Sequence, residues 1–287
     1  MKIKMSYILI SFILLALLAL LVAGKFFLPS FDPTKQKKNY NYLTIYENKI
    51  HYYLKNDHEG KETIVFLHSF GGNIEMWDLL IPFFKEYNIL AYDMPGFGKS
   101  DKKLDDYSLS VQSDFLHALL NKLNIDKVIL IGSSMGASVA AWYASVHGER
   151  VKKIILMSPS GYPGSMQHNF PGNYFYRPGV LNSLGKFFTG NLIFRKLFPN
   201  SIAFQAFSVT SSYNNSFADA LKKIKVPVLL LWSKADKRTP YKYSEKYLKL
   251  IKNIKLITVS DEAGHNITSY KPDFIYGEII HFINQDF

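Results

Sequence analysis

The sequence predicts an α/β fold, a mainly parallel β-sheet with helices on both faces. Three observations predict it. From Thr63 onward, short apolar runs alternate with amphipathic stretches of helical length. Several of those runs are apolar at consecutive positions, as strands covered on both faces must be. One of them, Lys127–Ile131, passes through Gly132-Ser133-Ser134-Met135-Gly136 straight into a helical stretch, Ala137–His147. A G-x-S-x-G between a strand and a helix is the pattern of a nucleophile elbow. Its serine sits on a sharp turn that only small neighbours tolerate, so both glycines have a steric purpose. The helix N-terminus behind it offers unpaired N–H groups where an oxyanion can form.

The chain has 287 residues, 48% hydrophobic and 20% charged, enough for one large domain or a domain with an insertion. Lysine and arginine number 34 against 23 acidic residues, a net charge of +11. Such a balance suits an anionic partner. The lysines are spread along the chain without a nucleic-acid motif, which argues against nucleic acid. A solvated lysine-rich surface, or contact with anionic lipid headgroups, accounts for the charge. The absence of cysteine excludes disulfides, thiolate metal sites and a cysteine nucleophile.

Residues 1–25 read as a membrane anchor. Ser6–Gly24 is uncharged and mostly aliphatic, preceded by Lys2 and Lys4 and followed by Lys25. As a transmembrane helix it would span about 28 Å, close to a bilayer's hydrocarbon core. A cleaved signal peptide is the alternative, but the apolar run is longer than a typical signal core and lacks a polar tail. Flanking lysines are nearly balanced. A short N-terminal tail retained inside places the globular part outside the cytoplasm. Residues 26–41, with Pro29, Pro33 and a Lys-rich patch, read as a linker.

The remaining elements follow in order. Lys49–Leu54 alternates as a strand, and Asn56–Gly60 is a turn cluster. Thr63–His68 is a buried strand, Asn73–Tyr87 an amphipathic helix, and Asn88–Tyr92 a strand. Ser108–Leu123 is a helix, and Lys127–Ile131 carries the elbow. Lys152–Met157, Val226–Trp232 and Lys255–Val259 are further strands; Tyr241–Ile251 and Pro272–Asn284 are helices. Gly161–Ala220 breaks the alternation and holds 13 aromatics in 60 residues, well above the chain's 15%. It reads as helical fragments packed on the sheet, and as a lid that gives an apolar pocket.

A serine nucleophile needs a base, and the base an orienting acid. In this topology they follow in the order Ser, Asp or Glu, His. Asp236 lies just past the strand Val226–Trp232, and His265 just past Lys255–Val259. Of eight histidines, only His265 combines a loop after a strand with a place after Asp236. His68-Ser69-Phe70-Gly71-Gly72 follows a strand at the same sheet edge, so the N–H groups of Phe70 and Met135 are the candidate oxyanion hole.

With these pieces assembled, the chain resembles the α/β-hydrolase family. The resemblance rests on His68–Gly72, Asp93-Met94-Pro95-Gly96-Phe97-Gly98-Lys99-Ser100, the elbow, the Asp236 loop and Gly264-His265, and covers Tyr42 to the C-terminus. It implies an α/β-hydrolase fold with an eight-stranded sheet, a core of residues 42–160 and 221–287, and a helical cap of residues 161–220. Within the family the chain is most similar to membrane-anchored monoacylglycerol lipases and small bacterial lipases and esterases. Ser69 stands where family members usually carry glycine. Serine at the elbow argues against dehalogenases and epoxide hydrolases, which use aspartate there.

The expectation is a serine hydrolase of lipid-like carboxylic esters, with Ser134, His265 and Asp236 as triad and no metal or cofactor. C–C bond hydrolysis or peptide cleavage on the same triad is the alternative, as is a hydrolase-like ligand receptor.

Overall fold

The computed structural model describes residues 39–164, 205, 208–210 and 212–285. The expected anchor, the linker up to Lys38 and most of the expected cap lie outside them. Among the described residues, no helix is long and apolar enough to cross a membrane.

Eight strands form one sheet: β1 (Tyr40–Ile45), β2 (Asn48–Lys55), β3 (Thr63–Leu67), β4 (Asn88–Tyr92), β5 (Val128–Ser133), β6 (Val151–Met157), β7 (Val228–Ser233) and β8 (Ile254–Val259). Their spatial order is β1-β2-β4-β3-β5-β6-β7-β8. The β1–β2 and β2–β4 pairs are antiparallel, and every other pair is parallel. The helices are α1 (Leu109–Lys122), α2 (Met135–Val146), α3 (Asn215–Lys223), α4 (Ser244–Leu250) and α5 (Pro272–Ile283).

Strands β3, β4, β5 and β7 are buried at every position. Their near-continuous apolar sequence matches two covered faces. One face packs against α1 and α2 through residues such as Leu116, Leu119, Val139 and Tyr143. The other meets Trp77, Phe84, Ile275, Ile279 and Phe282. Helix α1 starts at a Ser108 cap and buries Leu109, Gln112, Phe115, Leu116, Leu119 and Leu120, one stripe at helical spacing. Helix α5 starts on Pro272, buries Ile275, Ile279 and Phe282, and ends where the Lys153 ammonium donates to the carbonyls of Phe282 and Ile283 at 3.1 and 2.7 Å.

Two expectations are corrected. The segment from Asn73 to Tyr87 is not an amphipathic α-helix; it holds two 3₁₀ turns, Ile74–Trp77 and Ile81–Phe83. Pro82 has no N–H to give an α-helix, and its ring would strike the carbonyl four residues back. The buried side chains Ile74, Trp77, Leu80, Ile81 and Phe84 also recur largely every third residue, the 3₁₀ repeat. The second correction is at residues 40–41, expected as linker, which open β1 instead. Strand β1 forms a hairpin with β2 through Tyr46-Glu47, both at positive φ, 46° and 63°. Two-residue hairpin loops of this kind normally carry Asn-Gly or Asp-Gly. Tyr46 is held by an edge-to-face contact with Phe115, ring centroids 5.3 Å apart, and Asn48 donates its amide to the Tyr46 carbonyl at 2.8 Å.

Glu47 is exposed in this left-handed turn, so Glu47→Gly relieves backbone strain at no packing loss. Urea unfolding of this variant is expected to gain about 0.5–1 kcal/mol with an unchanged denaturant slope. A lower midpoint would contradict the strained-turn assignment.

Candidate active site

The loops that follow β3, β5, β7 and β8 leave the sheet at one edge, the carboxyl ends of its parallel strands. They carry Phe70, Ser134, Asp236 and His265 respectively.

Ser134 stands between the last residue of β5 and the first of α2, at φ 52° and ψ −112°. This conformation is sparsely populated for a residue with a side chain and costs on the order of 1–3 kcal/mol. Four hydrogen bonds over-determine it. The Ser134 N–H donates to the Met157 carbonyl of β6 at 2.8 Å. Its own carbonyl accepts the Ser138 N–H and hydroxyl, each at 3.2 Å, and the Ser160 N–H at 3.4 Å. The two glycines of the motif are explained by contact. A Cβ on Gly132 would strike the backbone of Gly136 and Ala137, and one on Gly136 would strike the Leu67 carbonyl. The first turn of α2 therefore lies against the end of β3 without room for a methyl group.

Asp236 follows β7 and is 4% exposed. Its Oδ1 accepts the N–H groups of Arg238 and Thr239 at 2.8 and 2.9 Å, and its Oδ2 the Thr239 hydroxyl at 2.8 Å. The fourth partner is His265 Nδ1, 2.8 Å from Oδ2. Burial pushes this carboxyl upward. Together the hydrogen bond to His265, the histidine's charge and the Thr239 bonds outweigh burial and hold it below the usual carboxylate range. An ionised carboxylate only accepts, so the proton between the two residues belongs to His265 Nδ1. Nε2 is left as the basic nitrogen of the neutral ring. The side chain of His265 is 12% exposed, and that of Asp236 is fully covered.

Among the described residues no hydrogen bond joins the Ser134 hydroxyl to His265, and the N–H groups of Phe70 and Met135 have no acceptor. The turn holding Phe70 is built on His68. The Met94 N–H donates to His68 Nε2 at 2.9 Å, so Nδ1 carries the proton and donates to the Ser69 carbonyl at 2.8 Å. Burial lowers the His68 pKa against the opposing pull of the Ser69 carbonyl and Asp93, in keeping with this neutral tautomer.

A second His–Asp pair shows that distance alone does not define the site. His51 Nδ1 lies 2.8 Å from Asp93 Oδ2. His51 is buried between the rings of Tyr40 and Tyr42, with centroids at 4.8 and 5.0 Å. Asp93 also accepts the N–H groups of Ile74 and Lys99, at 2.8 and 2.7 Å, which makes the pair a clamp on the β4 loop. Sequence reasoning missed Thr239, which donates to Asp236 and also approaches the Ser158 carbonyl at 3.3 Å. The only signal for it was its place three residues after the aspartate. Of the expected cap, residues 161–164, 205, 208–210 and 212–220 are described; the expected pocket falls on the remainder.

Comparison with known proteins agrees with this architecture. A family model described as alpha/beta hydrolase fold matches residues 62–195. Monoacylglycerol lipase ABHD6 of Homo sapiens is 25% identical over 255 residues, covering 78% of this chain and 75% of that protein. The dihydrolipoyllysine-residue acetyltransferase component of the acetoin cleaving system of Cupriavidus necator is 32% identical, but over only 39% of this chain and 30% of its own length. A membrane phospholipase A described as a bacterial virulence factor superposes with a TM-score of 0.68 at 22% identity, covering 86% of both chains.

Two outcomes test this geometry. Gly136→Ala is expected to cost about 3 kcal/mol or more in thermal or denaturant unfolding, because the clash is with backbone; a variant of wild-type stability would refute the close approach. Asp236 binds its proton less readily in the folded chain than in the unfolded one. Its contribution is therefore complete above about pH 4, the unfolded value, and is lost as pH falls through the lower folded value. On acidification the wild type should lose more stability than Asp236→Asn. Parallel pH–stability curves would contradict the lowered pKa.

Proposed function

We propose that this chain, a hydrolase of the α/β-hydrolase family, cleaves the carboxylic ester bonds of lipid-like acyl substrates such as monoacylglycerols. The observation that carries this reading is the Asp236–His265 hydrogen bond at 2.8 Å, on the sheet edge where the elbow presents Ser134.

Ser134 attacks the ester carbonyl, and His265 Nε2 takes its proton. The Asp236 carboxylate holds the other ring nitrogen and stabilises the imidazolium that forms. The N–H groups of Phe70 and Met135, which have no acceptor among the described residues, receive the tetrahedral oxyanion. His265 then protonates the departing alcohol, and water repeats the sequence on the acyl-enzyme. The steps need neither metal nor cofactor. The gap between Ser134 and His265 does not oppose this reading, since catalytic hydrogen bonds often close only when substrate is bound.

The lipid preference draws on two sequence features and one relative. Ser6–Gly24 serves as the membrane anchor and places the catalytic part outside the cytoplasm. Segment 161–220 holds 13 aromatic residues in 60, a composition suited to an apolar acyl chain. The relative named monoacylglycerol lipase supports the same substrate class.

Hydrolysis of p-nitrophenyl esters across acyl lengths, then of monoacylglycerols in micelles, tests the assignment. Ser134→Ala is expected to remove about 10⁴-fold or more of the turnover while the fold stays intact. Preference for medium or long chains supports the lipid reading, and preference for the shortest esters reduces it to a general esterase. Wild-type turnover in Ser134→Ala refutes the nucleophile. Absent ester turnover transfers the chain to C–C cleavage, peptide cleavage or ligand reception.

A further inference from the structure

The two N–H groups proposed to bind the oxyanion come from different parts of the chain. Phe70 lies in the turn after β3, and Met135 in the first turn of α2. Parallel pairing of β3 with β5 ends at Leu67↔Gly132. Beyond that pair the sheet ladder no longer sets the distance between the turn and the elbow. An oxyanion hole works only if both donors converge on one oxygen, so something after the ladder must fix their separation.

The side chain of Ser69 spans this gap. Its hydroxyl donates to Ser133 Oγ at 3.2 Å and lies 3.4 Å from the Ser133 carbonyl. Ser69 immediately precedes Phe70, and Ser133 immediately precedes Ser134. The bond therefore joins the residue before one donor to the residue before the nucleophile. Both ends are anchored. The Ser69 carbonyl accepts from His68 Nδ1 at 2.8 Å and from the Gly72 N–H at 2.9 Å. Ser133 is 2% exposed and lies in the β5–β6 ladder opposite Met157. Water has little access to compete for Ser133, which strengthens a hydroxyl bond that would be weak at the surface.

We infer that Ser69 is a positioning residue, whose hydroxyl fastens the Phe70 turn to the elbow and sets the spacing of the two oxyanion donors. The inference rests on the hydrolase reading above. Among the described residues the Ser69 hydroxyl bonds Ser133 and neither Ser134 nor His265. It acts through the position of Phe70, so its loss is felt where negative charge develops on the carbonyl oxygen and not where the ester first binds.

The full-length chain in detergent, with the variants Ser69→Ala, Ser69→Thr, Ser133→Ala and the Ser69→Ala/Ser133→Ala pair, tests this. The readouts are kcat and KM for p-nitrophenyl butyrate, inhibition by an alkylboronic acid that forms a tetrahedral adduct, and Tm. Ser69→Ala is expected to lower kcat about 10-fold at unchanged KM, a misaligned donor costing less than the 10²–10³ of a removed one. Boronate affinity should fall by the same factor. Ser69→Thr keeps the hydroxyl and should retain most of both. Ser133→Ala leaves the carbonyl acceptor, so it should lose less than Ser69→Ala and add nothing to it in the pair. Wild-type kcat and boronate affinity in Ser69→Ala would overturn the proposal, as would a change confined to KM or additive losses in the pair. If Ser69→Ala does not fold, Ser133→Ala decides: a partial kcat loss at unchanged Tm supports the clasp, and none refutes it. A wild-type chain that neither turns over the ester nor binds the boronate fails the hydrolase reading itself, and the role of Ser69 falls with it.

Discussion

The close approach of α2 to the end of β3 is the constraint from which the rest of the site follows. A helix leaving a central strand must turn sharply to cover the sheet, and here it does so within one residue, Ser134 at φ 52°. The turn closes because Gly132 and Gly136 bring backbone against backbone where any side chain would collide. Its strain is opposed by hydrogen bonds from β6 and from within α2, so Ser134 cannot relax into an ordinary helical conformation without losing them. Two things follow from one contact: a serine held at the sharp turn between β5 and α2, and a helix N-terminus whose first N–H lies beside it.

The site's electrostatics obey the same logic at a different strand. Asp236 is a buried carboxylate, and such a group is tolerated only when its lone pairs are filled. Four donors fill them: two backbone N–H groups, the Thr239 hydroxyl and His265. Burial and hydrogen bonding thus oppose each other, and hydrogen bonding prevails. The carboxylate can only accept, so the orientation and tautomer of the imidazole are set before any substrate arrives. The His51–Asp93 pair has the same separation yet ties β2 to the loop after β4, with its ring enclosed by aromatic side chains. The two pairs share their local chemistry and differ in what surrounds them: His51 lies between tyrosine rings, and His265 on the loop after β8, with Thr239 beside its carboxylate partner.

The Phe70 turn is held from two sides. His68, neutral and buried, ties its backbone to the β4 loop through Met94, and Ser69 reaches across to β5. The His68 contacts are charge-neutral and enclosed, while the link between the turn and the elbow is the Ser69 hydroxyl bonded to the Ser133 hydroxyl. A glycine at that position would leave the turn attached to β4 alone.

The α/β architecture, the alternation of strands and helices, and the placement of Phe70, Ser134, Asp236 and His265 after strands, with Met135 opening the helix behind the elbow, were legible in the sequence. Each depends on local information: apolar run length, glycine spacing and the position of a polar residue just after a strand. The hairpin at Tyr46-Glu47 was not legible, because its left-handed residues are held by Phe115 and Asn48 and not by turn-forming side chains. Nor was the pair of 3₁₀ turns after the Phe70 turn, where an i, i+3 apolar pattern is shared by two kinds of helix and Pro82 selects between them. Only the tertiary structure decided that Thr239 completes the carboxylate and that Ser69 touches Ser133. The Ser69 contact joins segments 64 residues apart, set by strand order and register, the Thr239 contact is local to one loop, and side-chain hydroxyls carry no periodicity by which a sequence could announce their partners.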